Sequence, residues 1–197
     1  MLIHPRGGEE TALAAWYEGE TAKWGYLPNY AAAFASRPTV AAAWSGLNGA
    51  VREGMDRRRY ELVTIATAQA LRSTYCAVAH SKFLRDACGD DSTMRSIAAE
   101  PDAAKLDDTD RALVAFARKV ARDATGVDER DIEALRAVGM SDNDIADVVF
   151  AIAARCFFAT VLDAVGAEAD HQLGAALPAD VAGQLAVGRP IAAPPSA

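Results

Sequence analysis

The sequence predicts an all-α, single-domain helical bundle, and three observations carry that prediction. Forty-five of the 197 residues are alanine, the strongest helix former, set among Leu, Arg, Glu and Asp. Runs of Val, Ile or Thr at strand period are scarce, and no hairpin or GxGxxG signal separates apolar runs. Capping residues and helix breakers recur instead, with short connections between them.

The first helix is expected from about Glu9 to Gly19. Pro28 opens a second that ends near Arg37, and Pro38 suits the first turn of a third reaching Gly54. Asp56 is placed as the N-cap of a helix running to Leu71, with Leu62, Ile65, Ala66 and Gln69 on one stripe. Ser73 or Thr74 then signals a fresh start, for a helix from about Tyr75 to Ala87 stopped by Gly89. Downstream, Asp107 or Asp108 caps a helix to Asp123, and Asp128 starts another to Val138 with Gly139 beyond it. Ser141 begins a long one to Val165, closed by Gly166. One domain over 1–188 is expected, with a mobile Pro/Ala tail over 189–197 that has too little apolar surface to offset its ordering.

Lys plus Arg is 20 and Asp plus Glu is 27, a formal charge of −7, with no dense basic face to meet phosphates. Nucleic acid is therefore not an expected partner. Cys76, Cys88 and Cys156 are odd in number and irregularly spaced, unlike a disulfide framework or a zinc ribbon, which suits a reducing cytoplasmic setting. The first ten residues hold no apolar stretch of signal-peptide length. The most apolar segment, Ile145 to Val165, is interrupted by Asp147, Arg155 and Asp163, so a buried helix is expected there and no membrane.

Chemistry concentrates between Glu61 and His80. Cys76 and His80 are four apart on one expected helix and share a face, with Ser73 three residues before Cys76 on that side. On a single straight helix Glu61 would lie about 22 Å from Cys76. A reversal at Ser73–Thr74 would instead bring Glu61 beside His80, and would leave Cys76 in a first turn where the helix dipole favours a thiolate. Carboxylate, imidazole and thiol in series form a proton relay that can activate sulfur. Tyr75, next to the cysteine, could line a substrate pocket or simply pack. A cysteine in an Ala-rich helix can equally be a small buried hydrophobe.

The run from Glu61 to Gly89, which ends in ALRSTYCAVAHSKFLRDACG, resembles the signature of the alkylhydroperoxidase D and carboxymuconolactone decarboxylase family. In that family's peroxidase branch a Glu is followed after twelve residues by CxxC and, after three more, by His. Glu61, Ser73, Cys76 and His80 fall at those positions. The flanking text, GYLPNYAAAFASRPTVAAAW upstream and the stretch from Leu106 to Gly166 downstream, resembles the peroxidase-related subgroup, so the similarity covers roughly residues 24–170, with the motif region at 56–89.

The resemblance implies a helical fold assembling into homo-oligomers (dimer, trimer or hexamer) and a thiol-dependent reduction of hydroperoxides. Cys76 would be the nucleophile, with His80 and Glu61 as its relay, and no cofactor or metal is implied. Ser73 stands where the family has its first cysteine. It could hydrogen-bond the thiolate or hold a water, but a hydroxyl cannot form a disulfide, so an external thiol reductant is expected. Cys88 is about 18 Å from Cys76 along one helix, beyond disulfide reach, and Cys156, beside Phe157 and Phe158, is expected in the core. Three alternatives share these residues: proton transfer by Glu61 and His80 as in the family's decarboxylase branch, a metal site on the same three side chains, and a non-catalytic helical oligomer. Arg57, Arg58 and Arg59 are expected on a solvated first turn. Trp16, Trp24, Tyr26 and Trp44, and Phe150, Phe157 and Phe158, are expected as core or interface anchors.

Overall fold

A computed structural model describes residues 1–4, 10–99 and 106–195. Its described residues form an all-α domain of ten helices: α1 (Glu10–Trp24), α2 (Pro38–Glu53), α3 (Arg57–Ala70), α4 (Thr74–Cys88), α5 (Asp91–Ala99), α6 (Asp108–Arg122), α7 (Glu129–Ala137), α8 (Asp142–Val165), α9 (His171–Ala175) and α10 (Ala179–Leu185). The expected start of α1 at Glu9 lies outside the described residues. Two 3₁₀ segments, Asn29–Phe34 and Ala124–Gly126, complete the order. The segment expected as a helix over Pro28 to Arg37 is the first of these. Its buried Tyr30, Ala31, Ala33 and Phe34 point the chain into the core, leaving no long apolar stripe.

Caps set the boundaries where the sequence places them. The Asp56 carboxylate accepts the Arg59 N–H at the start of α3 (2.9 Å), and Asp107 does the same for Asp110 in α6 (2.8 Å). Asp128 with Asp131 and Ser141 with Asp144 form reciprocal capping boxes on α7 and α8. Gly89, Gly139 and Gly166 end α4, α7 and α8 at positive φ (68°, 88° and 79°), conformations that cost a glycine nothing.

The expected stripe on α3 is too narrow. Every residue from Tyr60 to Gln69 is buried, because α4, α6 and α8 surround α3. A helix covered on all sides needs no polar face. The other long apolar helix, α8, is long and apolar enough to cross a membrane. Its Ile145, Val148, Ile152, Ala159 and Leu162 are buried in the core instead, against α2, α3 and α6. Three helices have no counterpart in the sequence reading. α5, α9 and α10 have nine, five and seven residues, too short for periodicity to register.

The link between α3 and α4 shapes the site. Arg72 adopts φ 58°, with its N–H on the Gln69 carbonyl and the Ser73 N–H on that of Ala68 (3.0 and 2.8 Å). This is a Schellman stop with arginine where glycine is usual. The strained turn makes α4 run back along α3. Residues from Gly188 onward make hydrogen bonds with the domain. Gly188 N–H donates to Thr74 Oγ1 (2.9 Å), Arg189 donates to the Asp163 carbonyl, and Ala192 N–H reaches Ala169 O (2.8 Å). A Cβ on Gly188 would sit 1.9 Å from the Arg72 carbonyl oxygen, so the approach requires glycine. Ser196 and Ala197 lie outside the described residues.

Candidate active site

The reversal at Arg72 brings Glu61 on α3 beside His80 on α4, with Glu61 Oε2 2.5 Å from His80 Nδ1. Both are buried, and Arg57, one turn before Glu61, donates Nε to Oε1 at 2.5 Å. Burial opposes the Glu61 charge, but His80 and the Arg57 guanidinium outweigh it and hold the carboxyl below its usual range. His80 moves the other way. Desolvation, joined by the nearby Arg155 cation, brings it down to about 4 against the pull of Glu61. Its resting state is therefore a neutral imidazole whose Nδ1–H donates to the Glu61 carboxylate, leaving Nε2 as a free base. Glu61 orients the ring through this contact.

This arrangement has a consequence for folding. A histidine held neutral below its unfolded value of 6.5 binds fewer protons when folded, so its contribution is intact above pH 6.5 and is lost as pH falls towards 4. Between pH 7 and 4.5 the loss expected from His80 is about 2–3 kcal/mol. Urea unfolding at both values should show it, and His80→Gln should remove that share of the slope. An unchanged slope in the variant would mean the imidazole titrates normally.

His80 and Glu61 line a cavity of about 280 Å³ that also contains Cys76. Cys76 is buried in the first turn of α4, four residues before His80. Its Sγ accepts a hydrogen bond from Arg155 Nη1 of α8 at 3.6 Å, and Arg155 Nη2 reaches Tyr60 Oη at 3.4 Å. Tyr60 in turn donates to Asn48 Oδ1 (2.6 Å). Burial works against the Arg155 charge, yet the Cys76 sulfur and the Tyr60 hydroxyl hold its proton more firmly than in free arginine. The sequence reading registers Arg155 only as an interruption of an apolar helix. That charge in the middle of α8 was the available signal.

The remaining expected residues divide. Tyr75 lines the cavity and its hydroxyl donates to the Asp170 carboxylate, which also accepts the Asn29 N–H (2.7 Å). Ser73 precedes α4 without a side-chain cap. Its buried hydroxyl is not in the cavity wall and bears on the Asp163 carboxylate rather than on the cysteine. Cys88 and Cys156 are free and half-buried, and desolvation pushes both thiols up. No group of three or more metal-ligating side chains stands together among the described residues. The arginine triplet is not a merely solvated turn: Arg57 pairs with Glu61, Arg58 with Asp90 and Asp110, and Arg59 with Asp144. The aromatic anchors also separate. Trp44 stacks on Phe158 with centroids 4.0 Å apart inside the fold, whereas Phe150 is 57% and Phe157 42% exposed.

Comparison with known proteins agrees with this architecture. The model of the carboxymuconolactone decarboxylase family matches residues 38–105, a span that holds Glu61, Cys76 and His80. Among solved structures, the chain is similar to the alkylhydroperoxidase AhpD core of an uncharacterized peroxidase-related protein from Ralstonia eutropha JMP134 (TM-score 0.76, 24% identity, 88% of this chain and 95% of that one). It is also similar to an uncharacterized peroxidase-related protein from Silicibacter sp. TM1040 (TM-score 0.73, 22% identity, 84% and 90%). A third, the debrominase Bmp8 in complex with 2,3,4-tribromopyrrole, gives a TM-score of 0.69 at 17% identity over 91% and 97%. No curated protein matches the sequence significantly. Residues 38–105 are thus similar to the carboxymuconolactone decarboxylase family, and the chain around them has the all-α fold of the alkylhydroperoxidase D-like structures.

Proposed function

We propose that the chain is a thiol-dependent peroxidase that uses one cysteine. The observation that carries this reading is the buried Glu61–His80 pair at 2.5 Å, opening on the cavity that holds the Cys76 sulfur. In the first step the Cys76 proton passes to His80 Nε2, and the thiolate, accepting the Arg155 N–H, attacks the terminal oxygen of a hydroperoxide. The O–O bond breaks, sulfur is oxidised to a sulfenic acid, and the departing alkoxide takes the proton back from His80 as an alcohol. An external thiol then condenses with the sulfenic acid, releasing water and leaving a mixed disulfide. A second thiol restores Cys76 and leaves as the oxidised disulfide. Ser73 makes this external resolution necessary. Cys88 ends the helix whose first turn holds Cys76, which places it beyond disulfide reach.

A second reading is favoured by Ser73 itself, since proton transfer by Glu61 and His80 needs no cysteine pair. Under that reading a small organic acid binds in the same cavity, and Cys76 only packs its wall. Loss of turnover on removing the thiol separates the two. The three free cysteines suit a reducing, cytoplasmic setting.

We also propose a homo-oligomer whose contact is the face between α2 and α8. Leu47 (55% exposed), Phe150 and Phe157 project there from two packed helices, an apolar patch that a second copy would cover. Phe150→Asp should shift the mass measured by light scattering to that of one chain. Wild-type protein that is already a monomer would remove the proposal.

A further inference from the structure

Resting on the proposed thiol chemistry, we infer that the cavity selects a small aromatic organic anion, whose acid group is held by Arg155. The guanidinium is 3% exposed and lines the cavity. Two of its nitrogens make long contacts, to the Cys76 sulfur at 3.6 Å and the Tyr60 hydroxyl at 3.4 Å. Its Nε has no hydrogen-bond partner although it is fully buried. A buried N–H without a partner is uncommon, and each instance calls for a group that would satisfy it.

No carboxylate of the cavity wall is free to do so. Lys23, Arg52, Arg57 and Arg155 line the cavity, against Glu61 as its acidic member among the described residues. Glu61 is already committed to His80 and Arg57. Lys23 and Arg57 are paired with Glu20 and Glu61 and Arg52 is exposed, so Arg155 is the buried cation of the cavity without a carboxylate partner among the described residues, and its charge acts most strongly because water is excluded there. Arg155 is also the cation that a planar carboxylate fits best, because its donors lie in one plane and present an edge.

The walls specify the rest of the ligand. Trp24, Tyr30, Trp44, Tyr75, Phe83 and Phe158 surround the space, and Arg155 lies over the Trp44 and Phe158 rings, 5.8 and 5.5 Å from their centroids. A flat apolar body can pack on these faces while its acid group reaches Nε. The same guanidinium would then touch both the ligand's anion and the reactive sulfur, so Arg155 fixes how far the reacting atom stands from Cys76.

The test is direct binding to the full chain, read by the fluorescence of the cavity's Trp24 and Trp44, with benzoate and its neutral counterpart benzamide as probes. Benzoate is expected to bind at least tenfold more tightly. Arg155→Met should bring the two within twofold, whereas Arg52→Met at the cavity should keep most of the preference. A second measurement needs no variant: in wild-type protein, the rate of Cys76 alkylation by iodoacetate relative to iodoacetamide is compared with the same ratio at Cys88. The anion should be favoured at Cys76 by at least tenfold over the Cys88 ratio. Equal affinities for benzoate and benzamide, or equal ratios at the two cysteines, would overturn the inference. Neither measurement involves a peroxide. Anion selection without hydroperoxide turnover would therefore count against the peroxidase reading alone, and turnover without anion selection against this inference alone.

Discussion

Cys76→Ser is expected to lower hydroperoxide consumption by about three orders of magnitude or more, equivalent to at least about 4 kcal/mol of barrier. The reason lies in the base available to it. His80 is held down at about 4 by burial and by the Arg155 cation, a weak base that takes the thiol proton only as the sulfur, supported by Arg155, attacks the peroxide, and one far too weak to ionise a hydroxyl. Serine in the same place keeps the contact to Arg155 and loses the nucleophile. The measurement is peroxide loss with an organic hydroperoxide and a small dithiol as reductant, together with a dimedone mass adduct on the peptide containing Cys76. The wild type should show the adduct and the variant should not. If the variant consumed peroxide as fast as the wild type, or if neither did while a small acid substrate was turned over, sulfur would have no part in the reaction. Glu61 and His80 would then be left as a proton-transfer pair.

Much of this site was legible because it is local. The Glu61-to-His80 spacing, the cap at Asp56 and the restart near Ser73 are statements about neighbouring residues, and a reversal at that restart is enough to bring the acid beside the imidazole. The 2.5 Å contact between them is the outcome of that local geometry. The charge state of His80 was not legible, because it depends on how deeply α6 and α8 bury the pair and on a cation 75 residues further along the chain. Arg155 itself could be read only as a flaw in an apolar helix, since nothing in sequence says which turn of α8 faces α4. The all-round burial of α3 was missed for the same reason. A hydrophobic stripe signals one covered face, and a helix becomes central only when partners from distant segments close over the other face.

The arginine triplet shows what long-range pairing adds, and it leads to the largest stability effect expected from a residue outside the cavity. Arg58 donates to Asp110 through both Nη1 (2.8 Å) and Nη2 (2.5 Å), to Asp90 through Nε (2.6 Å) and to Thr93 Oγ1 (3.0 Å). One side chain thus ties α3 to the starts of α5 and α6. Asp110 is buried at 4% exposure, so removing its partner leaves a charge that water cannot reach. Losing one member of a buried pair costs about 3–5 kcal/mol. Arg58 itself is about one-third exposed, and solvent screening reduces the expected cost of Arg58→Ala to about 2–3 kcal/mol. Arg59 is the internal control. Its pair with Asp144 joins two side chains that are 30% and 40% exposed, and Arg59→Ala should cost no more than about 0.5 kcal/mol. Arg58→Lys keeps the charge but not the two-pronged geometry, and should fall between these values. Adding Asp110→Asn to Arg58→Ala should recover part of the loss, because the stranded charge disappears with it. Chemical unfolding of the four variants measures all of this, and peroxide turnover at 25 °C should stay within twofold of wild type in Arg58→Ala because Arg58 does not line the cavity. Equal stabilities for Arg58→Ala and Arg59→Ala would mean that Asp110 keeps contact with solvent and that the three-helix tie contributes nothing.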